Sequence, residues 1–279
     1  MEPLGVVSTT HLFPGLHRHL MDLLHSMTPK DWSRPTLAPD WTVRDVAAHL
    51  LDGQVRRLSF QRDQHPMTPP DEPITGYADL VTFLNGLNAD WTRAARRMSP
   101  RVLMRFLELT GPDVSELFAS LDPHGPAFFP VAWAHESKSE NWFDIGREYT
   151  EWWHHQAQIR DAVDASPLYD REWLNPVLEL SMKAFCHTFK DVQAKPETAL
   201  VFQVYGDAGG TWSVVATPEG WSVFRGAMLG AAAQVRCDED TAWKLFFNAL
   251  PETEARRRIE TDGDPSLLER LFSVRGVMV

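Results

Sequence analysis

Along the first part of the chain, apolar residues recur at intervals of three and four. Leu12, Leu16, Leu20, Leu23, Leu24 and Met27 share one face of a helix over residues 10–27. Val43, Val46, Ala47, Leu50 and Val55 predict a second helix over 42–63, ending before the proline-rich stretch HPMTPPDEP at 65–73. Thr42 is its natural N-cap and Asp45 sits three positions on, a capping-box pattern with Asp in place of Glu. Leu80, Phe83, Leu84, Leu87 and Trp91 line a helix over 76–98. Residues 101–121 read as another helix, broken at Gly111-Pro112. A loop with Pro and Gly punctuation fills 122–134, and a helix over 139–163 follows. Long helices joined by loops predict an antiparallel four-helix bundle.

The pattern changes after residue 190. TALVFQVYG, TWSVVATP, GWSVFRGA and AAAQVRC read as strands, with turn signals at Asp207, Gly209 and Gly210 and at Pro218-Glu219-Gly220. DEDTAWKLFFNAL is an amphipathic helix with acidic residues at its start, which suits the helix dipole. ARRRIET reads as a last strand and DPSLLERLFSV as a last helix capped by Asp264. The expected fold class is α+β: a bundle over 1–165, a connecting helix over 166–190 and a small α+β domain over 191–279.

Composition narrows the class of protein. The 279 residues are 43% hydrophobic and 23% charged, which fits a folded chain rather than a disordered one. A formal net charge of −11 repels phosphate backbones and argues against a nucleic-acid partner. No stretch approaches the roughly 18 apolar residues of a membrane span, so no membrane role is expected. The start of the chain lacks a basic segment followed by an apolar run, so no signal peptide is expected and the protein is read as cytoplasmic. Cys186 and Cys237 are far apart without C-x-x-C spacing and are read as buried structural thiols. His17, His19 and His25 are read as surface or interface histidines. The many tryptophans are read as core or pocket wall, with Trp91, Trp133, Trp152 and Trp153 as wall candidates.

The stretch EYTEWWHHQAQIRDAV at 148–163 raises the question of chemistry. At 100° per residue, Trp152, Ile159, Ala162 and Val163 form an apolar stripe, and His155 falls within its inner half. Glu151 lies one turn earlier on the same face. His154 is turned about 100° away, towards Arg147, Asp161 and solvent. A Glu and a His four apart can give two ligands to one metal, and nitrogen with carboxylate oxygen suits zinc, nickel, iron or manganese. The same spacing also occurs as a simple hydrogen-bonded pair. Glu148 shares the face, as a general base, as an acceptor that steadies a ligand from behind or as the partner of an arginine. A third ligand has to come from elsewhere; His49 is the candidate, and a partly buried histidine bonded to a backbone carbonyl is the alternative reading.

APDWTVRDVAAHLLDG at 38–53 resembles the N-terminal signature of the mycothiol-dependent maleylpyruvate isomerase family, one of the DinB-like metal-binding four-helix bundles. Trp41, Thr42, Val43, Asp45, Val46, His49 and Leu50 match its W-T-V-x-D-V-x-x-H-L pattern, in which the histidine is a metal ligand. Glu151 and His155 match the E-x-x-x-H part of its second signature, with Arg147 four residues before Glu151, a slightly different spacing. The strands after 190 and TDGDPSLLERLFSVRG at 261–276 resemble the family's second domain, which is related to sterol-carrier-like α+β folds. The resemblance implies a divalent metal, zinc first, held by His49, Glu151 and His155. It also implies a low-molecular-weight thiol such as mycothiol as co-substrate, a small-molecule substrate and a homodimer as the possible assembly. Many relatives have an Asp three residues after the helix histidine; here that position is Gln158. The family's second domain contributes a basic residue for an acidic substrate, and Arg225, Arg236 and Arg256 to Arg258 are the candidates.

The function expected is a metal-dependent, thiol-dependent isomerase or S-transferase, with thiolate or water on an open metal position. A hydrolase of the same fold, with Glu148 as base, is one alternative. A non-enzymatic protein that binds lipid or another small molecule is the other.

Overall fold

The computed structural model describes residues 1–277. It divides into two compact units, each discontinuous in sequence. One comprises residues 9–128 and 151–167; the other comprises 1–8, 129–150 and 168–279.

The first unit is helical. It contains α1 (Phe13–Ser26), α2 (Val43–Arg56), α3 (Tyr77–Ala95), α4 (Pro100–Ser120) and the later part of α5 (Asn141–Ala162). A π-helical segment, Arg57–Arg62, extends α2. Helices α1 and α2 both pack against α4, and α3 packs on α2, where the Trp91 indole donates to the Ala48 carbonyl at 2.8 Å. Helix α5 closes the ring: Trp152 sits edge-on to Phe13 of α1 at 5.1 Å between ring centres, and the Gln156 amide donates to the Leu16 carbonyl at 3.1 Å. The core is built from the predicted stripes: Leu16, Leu20, Leu24, Val46, Leu50, Leu107, Val114, Phe118 and Ile159 are all buried. Burying such side chains contributes about 1.5–3 kcal/mol each, the main drive for closing the bundle.

Two sequence expectations fail here for identifiable reasons. Helix α4 is not broken at Gly111-Pro112 but runs through both. Pro112 is exposed, where water can satisfy the carbonyl that loses its helical partner. Gly111 serves packing instead: a Cβ there would lie 2.3 Å from the His17 ring. That ring is why His17 is not a surface residue. It is buried against Gly111 and Trp152, and burial lowers its pKa from the usual histidine value against the opposing pull of Glu108.

The second unit holds a six-stranded mixed sheet. Its strands are β1 (Glu2–Pro3), β2 (Ala199–Tyr205), β3 (Gly210–Thr217), β4 (Gly220–Arg225), β5 (Ala233–Asp238) and β6 (Glu260–Gly263), in the order β1-β4-β3-β2-β5-β6. Only β2 and β5 run parallel. The helices of this unit are α6 (Arg171–Met182), α7 (Ala184–Thr188), α8 (Glu239–Phe246), α9 (Glu252–Arg258) and α10 (Pro265–Leu271), besides the earlier part of α5. Asp238 caps α8 and Asp264 caps α10 by accepting from the Thr241 and Ser266 amides. The expected strand over ARRRIET begins only at Glu260. Residues 252–258 are helical, because Glu252 pairs with Arg256 and Glu254 with Arg258 at the i,i+4 spacing that favours a helix. The pairing of Glu2 and Pro3 with β4 leaves no mark in the sequence, since two residues carry no periodicity.

The expected α+β architecture is therefore present. Among the described residues no helix is long and apolar enough to cross a membrane. Cys237 is buried and Cys186 half-buried, and burial raises both thiols above their usual range.

Candidate metal centre

The start of α2 is fixed before His49 is reached. The Thr42 hydroxyl accepts from the Asp45 amide, and the Asp45 carboxylate accepts from the Thr42 amide at 3.1 Å, the reciprocal capping box expected from the sequence. Arg96 pairs with the same carboxylate at 3.0 Å. Burial pushes Asp45 towards protonation, but Arg96 and Thr42 outweigh it and hold the carboxyl below its usual range. With that turn locked, Trp41 stands just outside the helix and His49 lies two turns in. The Trp41 ring lies 4.9 Å from the His49 ring and 6.2 Å from that of His155, stacked on the latter.

Across from α2, α5 presents Glu151 and His155. The His49 and His155 rings are 4.7 Å apart, edge to face. One donor atom each from His49, Glu151 and His155 lies within 4.8 Å of the other two. Among the described residues this is the one such cluster of His, Cys, Asp and Glu side chains.

The protonation pattern suits a cation. His49 is pushed down to about 3 by burial, reinforced by the charge of His155, so it is neutral near pH 7 and can offer a lone pair. Its Nδ1 is buried with no hydrogen-bond partner, so no protein group competes for that atom. Burial pushes the Glu151 carboxyl towards protonation, but its hydrogen bond with His155 and the neighbouring His154 hold it below the usual carboxylate range.

His155 is the most constrained of the three. Its Nδ1 donates to the Gln158 side-chain oxygen at 2.9 Å, within a buried environment. That places the ring's proton on Nδ1 and leaves Nε2 facing the Glu151 carboxylate at 3.3 Å. In that tautomer Nε2 offers a lone pair beside the Glu151 carboxylate, an arrangement that a metal ion between the two would stabilise. Two imidazoles and one carboxylate fit zinc, and equally a redox-active divalent ion of similar preference.

The remaining predicted residues fall as follows. His154 does not face solvent: it is only 4% exposed. Helix α5 is buried on almost every side, so the polar flank inferred from one apolar stripe does not exist. His154 nevertheless stays outside the three-donor cluster. The Glu148 carboxylate pairs with Arg147 at 2.8 Å, and Arg147 also holds Asp144 at 2.8 Å. Of the wall candidates, Trp152 is bundle core against Phe13, and Trp133 packs on Phe143 in the other unit. The basic residues weighed for the second unit are matched there: Arg225 to Glu179, Arg256 to Glu252 and Glu269, Arg258 to Glu254 and Asp240, Arg257 to Glu254 and Arg236 to Gln234.

Two further residues belong to this neighbourhood. Trp41 has no predicted place from periodicity, although it begins the W-T-V-x-D motif. Arg56, one α2 face-repeat (i+7) after His49, brings a positive charge that His49 feels, and it pairs with Asp52 and bonds Asn88. Asp52 is pushed up to about 6 by burial, which Arg56 only partly offsets.

Fold and site together define the class: a DinB-like four-helix bundle whose α2 and α5 bring two histidines and a glutamate to one point. The chain belongs to the mycothiol maleylpyruvate isomerase N-terminal domain family, which it matches over residues 13–160, just over half its length. It is similar to the crystal structure of the mycothiol-dependent maleylpyruvate isomerase, with a TM-score of 0.54 and 11% identity over 91% of this chain and 92% of that one. A histidine-to-alanine mutant of that enzyme gives a TM-score of 0.52 at the same identity and coverage. At this identity the two structures speak to the fold. No curated protein sequence matches the chain.

Proposed function

We propose that the protein is a metal-dependent enzyme of the maleylpyruvate isomerase type, a thiol-dependent isomerase or S-transferase acting on a small electrophilic molecule. His49, Glu151 and His155 are the proposed ligands, and zinc is the ion their chemistry suits best. The observation that carries this reading is the convergence of the three donors, with the His155 proton already committed to Gln158. A divalent ion held there supplies Lewis acidity, which brings a thiol or water pKa towards neutrality.

The chain's own groups do the rest. Gln158 fixes the tautomer and the ring plane of His155. Trp41 covers one side of both histidines, which limits water around the donors and offers an apolar face to substrate or thiol. Arg56 adds positive charge near His49, favouring an anionic group on whatever binds. Glu148 is already paired with Arg147, so the hydrolase reading that needs it as a free base finds no support.

The test is elemental analysis of purified protein alongside thiol–electrophile turnover. His155→Ala and His49→Ala are expected to lose bound metal and activity together, while His154→Ala keeps its metal. Turnover that needs no thiol, or equal metal loss in His154→Ala and His155→Ala, would overturn the proposal.

A further inference from the structure

The densest positive charge along the chain lies where α3 passes into α4. Residues 93–105 carry Arg93, Arg96, Arg97, Arg101 and Arg105 and no acidic residue, in a protein whose net charge is −11. All five are exposed. Arg93 pairs with Asp90, Arg96 with Asp45 and Arg105 with Glu108. Arg97 and Arg101 form no ion pair among the described residues. Arg101 also sits in the first turn of α4, at the positive end of the helix macrodipole, where an acidic residue would be favoured and α4 has none. The helix gains nothing from that charge; an anion brought from outside would.

The corner that carries these arginines is braced from behind. Arg44 of α2 donates to the Arg96 and Met98 carbonyls, which α3 leaves open at its end. The Arg97 and Met98 amides bond back to the Ala94 and Ala95 carbonyls at 3.1 and 2.9 Å, and the Ser99 hydroxyl caps α4 by accepting from the Val102 amide. Little backbone order is therefore lost when something binds there. Beside the cations lies an apolar stripe. Val102, Phe106 and Leu109 are 42%, 45% and 52% exposed, and their i, i+4, i+7 spacing puts them on one face over about two turns. The opposite side of α4, through Leu103, Leu107, Val114 and Phe118, is buried in the bundle.

Apolar anchors flanked by fixed cations fit an acidic, amphipathic partner. The extent of the patch says which kind. Past Leu109 the exposed residues of α4 turn acidic, at Asp113 and Glu116. A flat anionic bilayer would press on both halves of the helix and be repelled by the second. A short segment can cover the first half and the α3–α4 corner alone. We propose that this surface docks a short acidic amphipathic helix of another protein. Its apolar side chains pack on Val102, Phe106 and Leu109, and its carboxylates pair with Arg97, Arg101 and Arg105. The exposed Arg105–Glu108 pair contributes little and can be exchanged for the partner's carboxylate. The contact is small, so a dissociation constant on the order of 100 µM is expected. The inference stands apart from the metal centre, whose loss leaves this surface unchanged.

Fluorescence anisotropy on the full chain tests it. The probe is a labelled synthetic peptide with Leu at i, i+4 and i+7 of a helix and Glu at the positions between. The wild type is expected to bind it saturably, more weakly as salt rises, and to bind the same peptide with Gln for Glu roughly tenfold less tightly. Arg97→Glu combined with Arg101→Glu, and separately Phe106→Gln, are each expected to weaken binding roughly tenfold without lowering the circular-dichroism melt or the metal content. Lys138→Glu, at an exposed lysine of the other unit, is expected to leave binding unchanged. A wild type that ignores the Glu peptide overturns the proposal, as does equal binding of the Gln peptide or full binding by the double arginine variant. Protein that sediments with phosphatidylglycerol vesicles but ignores the peptide gives the surface to a membrane and overturns it too.

Discussion

The bond between Gln158 and His155 gives the sharpest prediction. Replace Gln158 with Leu, which keeps most of the volume and removes the acceptor. The Nδ1–H of His155 is buried, so in the metal-loaded protein it loses the acceptor it holds at 2.9 Å. An unsatisfied buried donor costs about 1–3 kcal/mol. The metal-free protein has an escape: the ring can move its proton to Nε2 and donate to Glu151, 3.3 Å away. The cost therefore falls mainly on the loaded state. At about 1.4 kcal/mol per factor of ten, metal affinity should drop roughly 10–100-fold. A competitive chelator titration measures this directly, and urea melts with and without metal separate the two states. Gln158→Asp should go the other way, since a charge-assisted bond is about twice as strong. If Gln158→Leu binds metal within about twofold of the wild type, Gln158 does not orient the ligand and the account of His155 is wrong.

Other predictions concern the frame around the site. Gly111→Ala places a methyl 2.3 Å from the His17 ring; overpacking of about 1–3 kcal/mol, less about 1 from better helix propensity, leaves a net loss of up to about 2 kcal/mol in urea melts. In a His17→Ala background the same change should stabilise, and a stabilising Gly111→Ala in the wild type would refute the packing argument. Asp45→Asn should cost about 1 kcal/mol through the lost cap. Because Asp45 is held below its ordinary value of 3.8 when folded, this contribution is fully present above that pH and fades as the pH falls through the lowered value. The gap between wild-type and Asp45→Asn urea midpoints should thus be larger at neutral pH than in acid, and a constant gap would count against the capping box. Trp91→Phe should lose about 0.5–1.5 kcal/mol of stability with its bond to the Ala48 carbonyl, without changing metal content measured by elemental analysis.

Much of the bundle is legible in the sequence because each helix packs one stripe against its neighbours. The Thr42–Asp45 box can be read residue by residue, since capping is local chemistry. Glu151 and His155 follow from helical geometry, but His49 does not: nothing within its own helix distinguishes a ligand from a partly buried histidine, and only the W-T-V-x-D motif singles it out. His154 is misplaced by periodicity because periodicity assumes a solvated side, and α5 has almost none. The expected break at Gly111-Pro112 fails for a related reason. Both residues weaken an isolated helix, but packing of His17 on Gly111 and exposure of Pro112 let this one continue. The helix at 252–258 is hidden from periodicity because it is held by ion pairs one turn apart rather than by an apolar stripe.

The pairing of Glu2 and Pro3 with Gly220–Arg225 sets an order on synthesis. The helical unit is complete in sequence once residue 167 has been made. The first strand must wait for about two hundred more residues before its partner exists, which at ribosomal rates of about 5–20 residues per second is on the order of ten to forty seconds. Until Gly220–Arg225 has been made, Glu2 and Pro3 have no strand partner, and the bundle can close only once residue 167 is made, in the last quarter or so of that interval. The sheet is thus sealed at that edge by residues made well before their partner, and a cut just after Ser8 during synthesis would leave β4 as an open edge.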